Sequence, residues 1–189
     1  MFNKKASLAR KEEAREKIAQ VFTGAREIDN IPVKEYMIKW LGAFAPDMPV
    51  YDAKSFCLPK MFFKNYLWHA FSFQKTDCYM AEDAVAEFEK GFRGECFILL
   101  NEENLIFTLE NGKDITLEKL REFRSIIVFT SDFSETFVYT GSDEFGPYYK
   151  SADMAVADGS EPDESCIPEE ECLDDEESAE EEEPSDEEE

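Results

Sequence analysis

The sequence predicts an α+β domain with a mainly antiparallel sheet of about five strands, helices on one face of it, and a disordered acidic C-terminal tail. Three observations lead there. Two pairs of β-rich runs, CFILL with LIFTL and SIIVFT with ETFVYT, are each joined by a short polar turn. Stretches of helical period precede and separate these pairs. All the aromatic side chains (17 Phe, 7 Tyr, 2 Trp) fall within residues 1–150, whereas residues 151–189 carry 20 acidic groups, no basic one and no ring. Residues 1–150 hold 24 acidic and 20 basic groups, so only −4 of the net charge of −24 belongs to them. That length and that apolar content suit one core and are too small for two ordinary domains. The expected division is a basic amphipathic helix over 1–24, an α+β domain over 25–150 and the tail over 151–189.

Residues 4–22 contain good helix formers throughout, with Ala14, Ile18, Val21 and Phe22 on one stripe and a net charge of +3. A second helix over 33–44 is marked by Val33, Tyr36, Met37, Trp40, Leu41 and Phe44, which recur at helical spacing behind Asn30 and Pro32. Pro46, Pro49 and Pro59 then make 45–59 a loop. The run YLWHAFSF at 66–73 has rings at both parities and is expected as a strand buried on both faces. Residues 81–90 form a short helix with Ala84, Val85 and Phe88 inward, stopped by Gly91. The first hairpin turns at residues 101–104 and ends at Asn111-Gly112. Thr116 caps a helix carrying Leu117, Leu120 and Phe123, and the second hairpin turns around residues 131–134.

The tail, culminating in EEECLDDEESAEEEEPSDEEE, cannot repay the entropy of ordering and is expected to be disordered. Its block of carboxylates (Glu169, Glu170, Glu171, Asp174, Asp175, Glu176, Glu177, Glu180, Glu181, Glu182 and Glu183) serves either solubility or contact with a basic partner or a divalent cation.

Composition removes several classes. No apolar run approaches the ~20 residues that span a bilayer, and the first 22 residues lack a secretory pattern, so a cytoplasmic protein without membrane contact is expected. Five cysteines without paired spacing fit free thiols in a reducing compartment. Binding to nucleic acid is not expected of so acidic a chain. The cysteine and histidine spacings match no zinc site, and neither GFRG nor the glycines flanking SDEF forms a phosphate loop, so neither metal nor cofactor is expected.

The candidate functional residues are therefore few. His69, the only histidine, sits beside Trp68 and reads either as a core or rim imidazole bonded to the backbone or as a catalytic base paired with a cysteine or carboxylate. Asp132 reads as a turn-capping carboxylate or a cation ligand. Tyr148 and Tyr149, delivered by the Gly146-Pro147 turn, either close the core from its edge or present phenols to a partner.

Taken together, LWHAFSF (residues 67–73), Cys78, the ECFILL strand, and DFSETFVYT followed by FGPYY (residues 132–149) resemble the bacterial domain-of-unknown-function family 4275, with its W-H-x-F-S segment and its D-F-x-x-T-x-V-x-T hairpin followed by G-P-Y. The likeness covers residues 31–150 and leaves the tail outside. The family tends to follow the hairpin with a His-Glu pair, where this chain has Gly141-Ser142-Asp143-Glu144. The resemblance implies a small intracellular domain and transfers no catalytic residue. The function expected from the whole is a non-enzymatic protein-binding domain, with an immunity protein that neutralises a basic toxin as one concrete form. The alternative is a small enzyme built on His69. The sequence leaves the oligomeric state open.

Overall fold

A computed structural model describes residues 2–46, 67–72, 76–92, 94–141 and 145–154, all of which belong to one compact unit, residues 1–157. The elements are α1 (Phe2–Val21), β1 (Arg26–Glu27), α2 (Val33–Phe44), α3 (His69–Ser72), β2 (Tyr79–Met80), α4 (Ala81–Phe88), β3 (Cys96–Leu100), β4 (Leu105–Leu109), a 3₁₀ turn (Gly112–Asp114), α5 (Leu117–Leu120), β5 (Ile126–Thr130), β6 (Glu135–Tyr139) and β7 (Tyr148–Ser151). Seven strands make one sheet in the order β1-β4-β3-β5-β6-β7-β2, and every neighbouring pair is antiparallel.

The α+β class and the antiparallel sheet are as expected, and both hairpins lie where the sequence placed them. Two details differ. The sheet has seven strands rather than five, because β1 and β2 are two-residue strands too short to leave a periodic signal and β7 follows the Gly-Pro turn. Helices also cover both faces rather than one. The cause is visible in the strands: β5 is buried at all five positions, and β3 and β4 at four of five. Strands apolar at both parities need cover on both sides.

On one face Ile18 of α1 and Phe22 just after it, Ala84 and Phe88 of α4, Leu120 and Phe123 pack on Cys96, Ile98, Leu100, Phe107, Val128 and Phe137. On the other, α2 and α3 pack on Leu99, Ile106, Ile127, Phe129 and Val138. Successive residues of one strand thus belong to opposite layers. The anchor of the second layer is Trp40, fully buried. Its Nε1–H donates to Thr136 Oγ1 at 2.9 Å, and that hydroxyl donates to the Val128 carbonyl at 3.0 Å.

The segment expected as a strand is partly a helix. Residues 69–72 form one helical turn, so Leu67, Ala70 and Phe71, at i, i+3 and i+4, all turn into the second layer. A strand would have sent alternate residues away from it. The Leu67 N–H is held by Asn101 Oδ1 at 2.6 Å, which fixes the start of the turn from across the sheet. Thr116 caps α5 as expected, its Oγ1 accepting from the Lys119 N–H at 3.4 Å. Most of the expected loop over 45–59 lies outside the described residues, as does the acidic tail from residue 155. β7 itself runs through Ser151, and Ala152 N–H donates to Ser134 O at 2.7 Å, past the residue where the tail was expected to begin.

Candidate functional site

With Leu67, Ala70 and Phe71 turned inward, α3 leaves Trp68, His69 and Ser72 half-buried at the rim of the second layer. The Trp68 and His69 rings stack with centroids 3.8 Å apart, and Phe145 approaches Trp68 at 5.9 Å. Phe145 is 44% exposed, one of the few large apolar side chains among the described residues to reach solvent. The inward side of α3 and the Phe145 backbone are tied to the core. Phe71 packs on Trp40 at 5.2 Å and on Tyr148 at 5.8 Å, and Thr140 Oγ1 donates to the Phe145 carbonyl.

His69 Nδ1 lies 2.8 Å from Ser72 Oγ, which lies 3.3 Å from the His69 carbonyl. Both contacts are satisfied together when Nδ1–H donates to the hydroxyl and the hydroxyl donates to the carbonyl. In that arrangement the imidazole does not act as a base toward Ser72, and the pair locks the helical turn. Burial lowers the His69 pKa, so the neutral ring is the favoured form. The unfolded chain then binds a proton more readily than the folded one, and stability contributed by neutral His69 is complete above about pH 6.5. It is lost as pH falls from there through the lower folded-state value. Chemical denaturation of the full-length chain between about pH 7.5 and 5 should show that slope. His69→Gln should flatten it, and an unchanged slope in that variant would assign the effect elsewhere.

Asp132 builds a turn. It accepts from the Ser134 N–H at 3.0 Å and from Ser134 Oγ at 2.7 Å, while Thr130 Oγ1 accepts from the N–H groups of Ser134 and Glu135 at 3.0 and 3.1 Å. Bonds to Thr130 and Ser134 hold its carboxyl below the ordinary aspartate range. The network lets the β5–β6 turn place Phe133 at a φ of +58°.

Tyr148 and Tyr149 are both buried, on opposite faces of β7: Tyr148 joins the second layer and Tyr149 the first. Burial raises the pKa of each phenol, and Glu135 adds to the shift at Tyr149. They fill the core instead of presenting a surface. Cys96 is buried in the first layer, so the sheet separates it from α3, and burial pushes its thiol up to about 12. Cys78 packs against the second layer with its thiol pushed up to about 11. Neither is a ready nucleophile at neutral pH. Among the described residues no group of three or more His, Cys, Asp or Glu side chains could hold a metal ion, and no helix is long and apolar enough to cross a membrane. The carboxylates of residues 169–183 lie outside the described residues.

The fold thus brings the segments singled out in the sequence to one place. Trp68, His69 and Phe71 of the aromatic run meet Phe145 and Tyr148 of the FGPYY segment, while Asp132 serves the hairpin turn. The sequence profile of a domain of unknown function, DUF4275, matches residues 15–149. The chain belongs to this family. The DUF4275 match takes in the whole sheet up to Tyr149 and the aromatic rim, and it begins after Arg10 and Glu13 of α1. No curated protein and no solved structure among those compared matches the chain. Two rim residues were missed from sequence, Phe145 and Ser72. The signal for Ser72 was its spacing of three from His69; Phe145 had only its position ahead of Gly146-Pro147.

Proposed function

We propose that this DUF4275 chain is a cytoplasmic, non-enzymatic protein-binding domain. Its recognition surface is the rim formed by Trp68, His69 and Phe145, and its acidic C-terminal segment steers a basic protein toward that rim. An immunity protein against a basic toxin is one concrete form of this function. The observation that carries the reading is the contiguous set of three rings, partly exposed at its Phe145 end. Rigid, amphipathic rings are the side chains that dominate the energetics of protein interfaces. The negative net charge of −24 favours encounter with a basic partner.

The enzymatic alternative has less support. Ser72, in the same helical turn, is one partner of the His69 ring, and neither described thiol has a lowered pKa.

The test is affinity capture from native lysate with the full-length chain beside the Trp68→Ala/Phe145→Ala double variant, followed by quantified binding of whatever is retained. Affinity of the variant should fall about a hundredfold, the effect of losing a hot-spot cluster. Raising salt from about 50 to about 500 mM should weaken binding to the unmodified chain. Equal retention by the variant would move recognition away from the rim, and salt-independent affinity would remove the steering role.

A further inference from the structure

Away from the aromatic rim, on the other face of the sheet, a cleft of about 460 Å³ opens between α1, the β3–β4 turn and residues 123–125. Its size lies within the range of small-molecule sites. Arg10, Glu13, Ala14 and Lys17 line one wall, at the i, i+3, i+4 and i+7 spacing that puts them on one face of α1. Glu102 and Glu103 face them from the turn, and Arg124 comes from the segment leading into β5. The apolar part is made by Leu100 and Phe123, both buried in the first layer.

The charges of this cleft are unusual in what they do not do. Arg10, Glu13, Glu102, Glu103 and Arg124 form no ion pair among the described residues, although both signs line one space. Lys17 is spent otherwise, donating to the Glu122 carbonyl and lying over the Phe123 ring at 5.1 Å. Each of the three walls is supported by the core or by neighbouring backbone. Ile18 and Phe22 anchor α1 in the core, Leu100 and Leu105 anchor the turn, and the Arg124 backbone rests against Gly141. Glu103 is half-buried and its carboxyl is pushed up by burial, against the pull of Arg10 and Arg124.

We propose that this cleft binds a small zwitterionic molecule with an apolar body, the chemistry shared by a free amino acid and a dipeptide. A carboxylate would be held by the guanidinium forks of Arg10 and Arg124, which suit planar two-oxygen recognition. An ammonium group would be held by Glu13 and Glu102, and the apolar body would lie against Ala14 and the edges of Leu100 and Phe123 that reach the cleft. The inference is independent of the protein-binding reading, since it uses neither the rim nor the acidic tail.

The experiment is an NMR titration of the ¹⁵N-labelled full-length chain with four probes, each taken to about 10 mM: L-leucine, the dipeptide leucyl-leucine, leucinamide and N-acetyl-leucine. The backbone amides of residues 100–103 and 123–125 should shift with at least one of the two zwitterions. Leucinamide lacks the carboxylate and N-acetyl-leucine lacks the ammonium, so each should bind at least about tenfold more weakly. Tighter binding of the dipeptide assigns the site to peptides, and tighter binding of leucine assigns it to free amino acids. Arg124→Gln and Arg10→Gln alter exposed side chains and should abolish the shifts while leaving the rest of the spectrum in place. The proposal is overturned if neither zwitterion moves those amides, if the blocked probes bind as well as the zwitterions, or if both arginine variants titrate like the unmodified chain.

Discussion

Trp40→Ala is expected to lower the melting temperature of the full-length chain by about 12 °C, the shift that about 4 kcal/mol produces in a domain of this size. Trp40 is fully buried, at the centre of the layer formed by α2 and α3. Its ring touches Phe44 at 5.7 Å and Phe71 at 5.2 Å, so truncation leaves a cavity that neither neighbour can fill without leaving its own packing. The loss has a second part. Thr136 Oγ1 loses the indole N–H that donates to it, at a buried position where water cannot replace it. Trp40→Phe separates the two, since it keeps most of the ring and removes the donor, and it should cost about 1–2 kcal/mol. Calorimetry on both variants checks the split. Equal melting temperatures for the two would mean that the hydrogen bond, and not the packing, carries the effect.

The second large effect is expected at Gly141, just after β6. Its φ is +67°, in the left-handed region, and a Cβ placed there would lie 2.3 Å from the Arg124 carbonyl oxygen. Gly141→Ala therefore combines a strained backbone with a collision against main chain that cannot rotate away. The two together should cost about 3 kcal/mol. Gly24→Ala is the control, because Gly24 also has a positive φ, +91°, but no atom lies within 4 Å of its Cβ position. It should lose only the conformational part, about 1 kcal/mol. If denaturant midpoints of the two variants coincide, the close approach to Arg124 is not a constraint on folding.

Much of the fold was legible in the sequence, for reasons that differ between elements. The helix over 33–44 has the bounds that its apolar spacing predicts, because a six-residue stripe with Trp40 at its centre has one way to bury itself. The hairpins at 96–109 and 126–139 were legible because each has a polar turn between β-rich runs. Residues 69–72 were not, because rings at both parities fit a strand as well as a turn of helix. The helical turn is accompanied by a bond from Leu67 to Asn101, thirty-four residues away, which no local pattern announces. The second helical layer has a trace in the sequence: CFILL, LIFTL and SIIVFT do not alternate, and a sheet open on one side would. Of the candidate residues, Trp68 and His69 were legible by their ring content. The mixed-charge cleft was not, because Arg10, Glu103 and Arg124 are joined only by the crossing of α1 over the sheet.

The two shortest strands have a consequence out of proportion to their length. The rows of unpaired amides and carbonyls at the margins of an antiparallel sheet are ready templates for another chain, and proteins that avoid fibrous association interrupt them. At one margin β1 covers β4 for two residues, and the Ile28 N–H adds a third bond, to the Ile106 carbonyl at 2.9 Å. At the other, β2 pairs with β7 for two residues before the chain enters α4 directly, with the Ala81 N–H donating to the Pro147 carbonyl at 3.0 Å. Among the described residues, the sheet around the apolar central strand IIVFT is thus flanked at both margins by strands of two residues, which leaves little continuous ladder for a second molecule to pair with.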